Sequence, residues 1–217
     1  IVCTPEAYAA VGGMRRRLAA EDFYFLQALA KSGPVARIPG TVVRPAARSS
    51  HRVPFGTGAT MQQQEADQAA PQQLYAVESY RLLERVLDVA AHGLDLPPAD
   101  FVDALARAAE PPAFRDYLEA QQFPEAWAAT ARHARTREQR RAQFHGWLDA
   151  FRTMKLFHHL RDHGHPDTEL YAGLPSLLQW AGLSLVPEAD ALRQSAQTRI
   201  ALLERLRAAW GYLHDMT

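Results

Sequence analysis

The chain has 217 residues with 24 Lys and Arg against 24 Asp and Glu, so its formal charge is zero. A uniformly basic, nucleic-acid-binding composition is thereby excluded. Hydrophobic residues make up 47% and charged residues 22%, a globular balance that can bury a core. Cys3 is the single cysteine, which excludes a disulfide framework and a four-thiolate zinc site. No apolar run approaches the roughly 20 residues of a membrane helix, so no transmembrane segment is expected. The chain starts Ile1-Val2-Cys3, without Met and without a signal-peptide pattern. That start suggests a sequence beginning inside a larger protein, and the expected location is cytoplasmic.

Two regions differ in character. Residues 1–60 mix short elements with an Arg/Ser/Gly-rich end. Residues 61–72 are polar, Gln-rich and close on Pro71, which reads as a linker. Residues 73–217 read as helix after helix.

In the first region Thr4 is placed to cap a short helix, with Pro5 at its first position and Gly12-Gly13 taking the left-handed conformation that ends it. A second helix is expected over 20–32, with Phe23, Leu26, Leu29 and Ala30 on one face. Residues 35–38 and 41–43 are short β-branched runs around Pro39-Gly40 and read as two strands.

The second region predicts helices at 73–92, 98–109, 111–121, 124–134, 136–163, 175–184 and 188–214. Thr136 and Gln139 match a capping box. The 136–163 stripe runs Phe144, Trp147, Leu148, Phe151, Met154, Phe157, Leu160. That of 188–214 runs Leu192, Ala196, Ile200, Leu203, Leu206, Trp210, Leu213. The two are expected to face one interior, with Trp147, Phe151, Leu203 and Trp210 buried. The fold class is mainly α, with an all-α bundle at the carboxyl-terminal end.

The chemistry-bearing stretch is Tyr8-Ala9-Ala10-Val11-Gly12-Gly13-Met14, followed by Glu21-Asp22-Phe23-Tyr24. Glycines let backbone approach a ligand closely. Carboxylates at a helix N-terminus are favoured by the helix dipole, and one facing a cleft can act as a general base. The competing reading is ordinary: Glu21 and Asp22 charge a helix start and do nothing more. His159 and His163 share a helix face near His158 and His165, a spacing that can bind metal, but a solvated or helix-capping role is favoured. The basic run Arg132–Arg141 reads as a solvated face.

The order Gly-Gly turn, Glu-Asp helix, then Arg48-Ser49-Ser50-His51-Arg52-Val53-Pro54-Phe55-Gly56-Thr57-Gly58 resembles the carboxyl-terminal end of the GT-A catalytic domain of bacterial family 2 glycosyltransferases. The resemblance implies that residues 1–60 are the remnant of a GT-A α/β domain, with the nucleotide-binding half missing from this chain. By its implication Asp22 is the base that deprotonates an acceptor hydroxyl, and Glu21 orients acceptor or base. Gly12 and Gly13 line the acceptor side, while Arg48, Ser50, His51 and Arg52 fold over the donor diphosphate. The implied partners are a nucleotide-sugar donor and a hydroxyl acceptor, with no nucleic acid. Mg2+ or Mn2+ is the cofactor implied for the full-length enzyme, its ligands mostly outside this chain. Met14 stands where an aromatic is commoner, and no Asp-x-Asp follows a strand; Asp100-Phe101-Val102-Asp103 has another spacing. This piece alone is expected to be inactive. Self-association through the helical domain is a further expectation, and the alternative reading of the whole is a non-catalytic helical interaction module.

Overall fold

The structure is a computed structural model that describes residues 2–14, 16, 21–36, 72–109, 112–183 and 187–214. It is mainly helical. The chain divides into two units, Ile1–Ala70 and Pro71–Thr217, a division that falls inside the 61–72 stretch.

In the first unit Thr4 caps α1 (Pro5–Ala10), its hydroxyl accepting from the Ala7 amide at 3.2 Å. Gly12 and Gly13 follow with φ of +73° and +70°. The second helix, α2, spans Glu21–Ser32. It packs on α1 through Tyr8 and Phe25, whose ring centroids lie 5.5 Å apart. Phe25 is the one buried side chain among the described residues of this unit. The expected inner face of α2 is therefore corrected: Phe23 and Leu26 each stay 40% exposed. Phe23 lies on the far side of the helix from Phe25, which makes the Tyr8 contact, and Leu26 is turned about 100° from it. Val35 and Ala36 are not in a strand. The remainder of the two expected strands lies outside the described residues.

The second unit opens on β1 (Gln73–Leu74). Then come α3 (Val77–Gly93), α4 (Pro98–Ala109), α5 (Pro112–Ala120), α6 (Phe123–His133), α7 (Arg137–Trp147) and α8 (Ala150–Asp162). The chain continues through β2 (Thr168–Glu169), α9 (Leu170–Trp180), α10 (Ala189–Gln194) and α11 (Ala196–His214). β1 and β2 pair antiparallel, Gln73 opposite Glu169 and Leu74 opposite Thr168. Two-residue strands carry no period, so the sequence offers no sign of them.

The main core is built from side chains of all six helices α3 through α8. Leu82, Val86 and Ala90 of α3 meet Phe101 and Leu105 of α4, all nearly without exposure. Phe101 stacks near Trp127 of α6 at 4.7 Å and edges onto Phe144 of α7 at 5.9 Å. Offset and edge-on rings of this kind add about 0.5–1.5 kcal/mol per pair beyond burial. Tyr117 of α5 donates to the Arg152 carbonyl of α8 at 2.7 Å. Burial pushes its hydroxyl up to about 12.

The single helix expected over 136–163 is two. The capping box at Thr136 forms as read, starting α7. Asp149 then starts a new helix, its carboxylate accepting from the Arg152 amide at 2.8 Å. Arg152 donates to the Trp147 carbonyl at 2.9 Å, closing the helix before it. The expected 175–184 helix begins earlier, at Leu170, because Glu169 accepts from the Tyr171 and Ala172 amides. Pro175 sits inside it and does not open it. Ser195 breaks the expected 188–214 helix, its hydroxyl accepting from the Thr198 amide at 3.1 Å.

The expected shared interior is corrected as well. Leu192 and Leu202 join Leu178 in a second, smaller cluster. Leu203 is 53% exposed and Ile200 49%, so the buried face of α11 is one residue out of step with the expected stripe. Trp147 and Phe151 are half-buried, and the Trp210 side chain lies outside the described residues.

Two outcomes follow for chemical denaturation and titration. Phe101→Ala empties a fully enclosed site and should cost about 3–5 kcal/mol, whereas Leu203→Ala should cost under about 0.5. Equal losses would contradict the assignment of the buried face. Glu169 also accepts from Arg193 at 2.7 Å. That guanidinium, joined by the two helix amides, holds the Glu169 carboxyl below its ordinary value of 4.5. A folded value lying lower means the stabilisation is complete above pH 4.5 and fades as pH falls through the folded value. The Glu169 carboxyl carbon in an NMR titration should move late on acidification, and in Arg193→Gln it should return toward the ordinary range.

Candidate functional site

The turn after α1 needs glycine for two separate reasons. Both residues have positive φ, where an L side chain costs about 1–2 kcal/mol. At Gly12 a β-carbon would meet open space, but at Gly13 it would lie 2.9 Å from the Tyr8 ring. The Gly13 amide donates to the Tyr8 carbonyl at 2.9 Å, so the chain folds tightly back over that ring. The same Tyr8 ring meets Phe25, and the turn is thereby set against α2.

Between turn and helix lies an open cleft of about 220 Å³, lined by Val11 and Gly13 on one side and by Glu21, Tyr24, Phe25, Gln27, Ala28 and Lys31 on the other. The two members of the Glu-Asp pair part company here. Glu21 lines the cleft and is half-buried. Asp22 is exposed and is not among the lining residues. Its Oδ1 accepts from the Phe23 amide at 2.8 Å, the only hydrogen bond of that carboxylate among the described residues. Successive helix residues are rotated by about 100°, so the neighbours cannot face one direction. Gln27 was not singled out in the sequence. Its Oε1 is enclosed and has no hydrogen-bond partner among the described residues. A glutamine in mid-helix carries no pattern that would have flagged it. Arg48, Ser50, His51 and Arg52 lie outside the described residues.

Three of the four clustered histidines are committed to structural contacts, whereas the buried Nδ1 of His165 has no hydrogen-bond partner among the described residues. His158 Nε2 is 2.9 Å from the Tyr75 hydroxyl. The His159 Nε2–H donates to the Ala113 carbonyl at 2.9 Å, and the His163 Nδ1–H to the His159 carbonyl at 2.7 Å. The His159 and His163 rings stack at 4.1 Å, so their in-plane lone pairs run in parallel planes and do not converge on one ion. Among the described residues no three His, Cys, Asp or Glu side chains form a metal-holding group. The divalent metal implied by the resemblance therefore finds no ligand set there.

The basic run is likewise engaged in part. Arg140 donates to the Leu94 carbonyl at 2.9 Å and to the Ala134 carbonyl at 3.2 Å, joining the end of α3 to the α6–α7 link. Arg137 and Arg140 both approach Asp95, at 3.5 and 3.8 Å. A shallow groove of about 560 Å³ lies alongside, lined by Thr130, His133, Gln139, Gln143 and small residues. The carbonyl oxygen of Gln139 is occupied by the Arg135 and Thr136 amides.

No family model, curated protein or solved structure matches the chain.

Gly13→Ala combines a strained φ with a clash on Tyr8, whereas Gly12→Ala meets only the strain. Both should loosen the turn, Gly13→Ala by the larger amount and by more than about 1 kcal/mol. Amide exchange at Gly13 compared with residue 13 of the variants reads this directly. Equal loosening in the two variants would remove Tyr8 as the reason.

Proposed function

We propose that this chain supplies the acceptor side of an inverting, family 2-like glycosyltransferase, with a nucleotide-sugar-binding domain carried outside these 217 residues. The observation supporting it is the left-handed Gly12-Gly13 turn, which shares one cleft with the first residue of the Glu21-Asp22 helix. The resemblance drawn from the sequence connects that arrangement to sugar transfer. The exposed Phe23, opposite Phe25, and the exposed Leu26, turned about 100° from it, give α2 apolar surface beyond the Tyr8 contact, as an element of a larger domain would have.

In this reading the acceptor hydroxyl oxygen attacks the anomeric carbon of the donor as the bond to the diphosphate breaks. The nucleoside diphosphate leaves with the electron pair, and the hydroxyl proton passes to Asp22. A single displacement inverts the anomeric centre. The role of Asp22 comes from the resemblance: its carboxylate stands outside the cleft lining and spends one oxygen on its own helix start, leaving the other for the proton. Glu21, on the cleft wall, orients the acceptor. Arg48 and Arg52 pair with the diphosphate oxygens, a task that suits a planar guanidinium.

The test is made in the enzyme that contains both halves. A general base contributes about 10²- to 10⁴-fold, felt mainly in the transition state. Asp22→Asn should therefore lower kcat by that amount with KM little changed and the melting temperature kept. Glu21→Gln should act chiefly on the KM for acceptor. Near-normal kcat in Asp22→Asn, with lowered melting, would reduce the pair to a charged helix start and leave the helical interaction module as the reading.

A further inference from the structure

Tyr8 stands behind the cleft rather than in it. It belongs to α1 and is not among the lining residues, yet it touches a lining residue on each wall. On the helix side its ring meets Phe25 edge-on, with centroids 5.5 Å apart and planes at 61°. On the turn side a β-carbon at Gly13 would lie 2.9 Å from Cε1, 3.0 Å from Cζ and 3.1 Å from the hydroxyl oxygen. The backbone there rests on the hydroxyl-bearing end of the ring. The Gly13 amide also donates to the Tyr8 carbonyl at 2.9 Å, so main chain and side chain of one residue hold the same point. Gly13, at φ +70°, has no side chain of its own to set against α2, and the Tyr8 ring takes that place. Tyr8 stays 46% exposed, while Phe25 is 5% exposed. A residue that served only to fill a core would be enclosed as Phe25 is. A half-solvated ring in contact with both walls is a spacer.

We infer that Tyr8 is a positioning residue for the acceptor: its ring sets the separation of Gly13 from α2, and with it the width of the cleft. This rests on the acceptor-side reading and adds to it the residue that fixes the fit. Tyr8 acts through Gly13 and Phe25 and touches neither the acceptor nor the reacting atoms. Phenylalanine keeps the ring at this position and loses only the hydroxyl. Leucine supplies apolar volume without a flat face or an edge for Phe25. The two substitutions therefore separate ring geometry from bulk hydrophobicity. A displacement of about 1 Å in a supporting contact can cost as much as about 10²-fold in turnover of a bound substrate.

Tyr8→Phe and Tyr8→Leu are compared in two settings. In the full 217-residue chain, Tyr8→Leu should speed amide exchange at Gly13 about tenfold, with the amides of α6 and α7 unchanged as a check on folding. Tyr8→Phe should leave Gly13 within about twofold of the parent. In the enzyme that contains both halves, Tyr8→Leu should raise the KM for acceptor about tenfold and leave the KM for donor where it was. Tyr8→Phe should restore the parent KM. Loss of packing alone would lower the melting temperature and kcat with the acceptor KM unchanged, and that pattern would overturn the assignment. So would a Tyr8→Phe enzyme as impaired as Tyr8→Leu, a Tyr8→Leu enzyme with normal KM, or a Gly13 amide indifferent to both changes. The wider reading is judged separately, by kcat of Asp22→Asn. Normal turnover in that variant, with an acceptor KM that depends on the Tyr8 ring, keeps the spacer and removes the base. Lost turnover there, with an acceptor KM indifferent to Tyr8→Leu, does the reverse.

Discussion

Phe101 has no exposure, and the helical unit is arranged around its enclosure. It contacts Trp127, Phe123 and Phe144, side chains from two further helices, and it presses on Gly93 at the end of α3. A β-carbon at Gly93 would come within 3.2 Å of that ring, so α3 ends where the ring needs the space. Burial of a Phe side chain is worth about 1.5–3 kcal/mol, and the rings around it multiply that gain. Trp147 extends the group, with its ring 4.3 Å from Phe123. Several short helices, none stable alone, can hold together because α4 delivers one ring and α6 and α7 two each to the same place.

Polar side chains then decide where each helix stops and starts. Arg140 bonds the last carbonyls of α3 and of the α6–α7 link, Arg152 takes the end of α7, and Arg199 takes the Leu192 carbonyl before α11. Asp149, Glu169 and Ser195 receive the first amides of the helices that follow them. Such pairing satisfies helix ends that water would otherwise have to reach. It also couples elements: Glu169 links β2, α9 and α10 through Arg193, and Trp180 donates to Glu84 of α3 at 2.9 Å. The smaller cluster around Leu178, Leu192 and Leu202 is held to the larger through these few polar contacts and the neighbouring Tyr80 and Trp180 rings.

The first unit has a different economy. Phe25 alone is buried among its described residues, and Tyr8 serves both as its ring partner and as the surface against which Gly13 closes. The turn closes tightly on Tyr8, while the cleft beside it remains open. The Glu-Asp pair shows how a helix sorts neighbours: Glu21 goes to the cleft and Asp22 to solvent.

Local signals were legible in the sequence wherever one residue or one dipeptide settles the backbone. Thr4 with Pro5, Gly12-Gly13, the Thr136–Gln139 box and the Gly93 stop all stand as read. Helical periodicity also sufficed to show that the chain is mainly α. What it could not decide is which side of a helix faces inward when apolar residues lie on more than one side. Leu202 and Leu203 are chemically the same, and only the position of α10 and α9 buries the first and leaves the second in water. The breaks at Leu148–Asp149 and Ser195 were hidden for a similar reason, because an Asp or Ser inside an apolar stripe becomes a cap only when packing turns the chain there. The Gly-Gly turn and the Glu-Asp helix were therefore written in the sequence, whereas the cleft, the unpaired Gln27 oxygen and the placing of Glu21 rather than Asp22 on the cleft wall exist only once α1 and α2 are packed together.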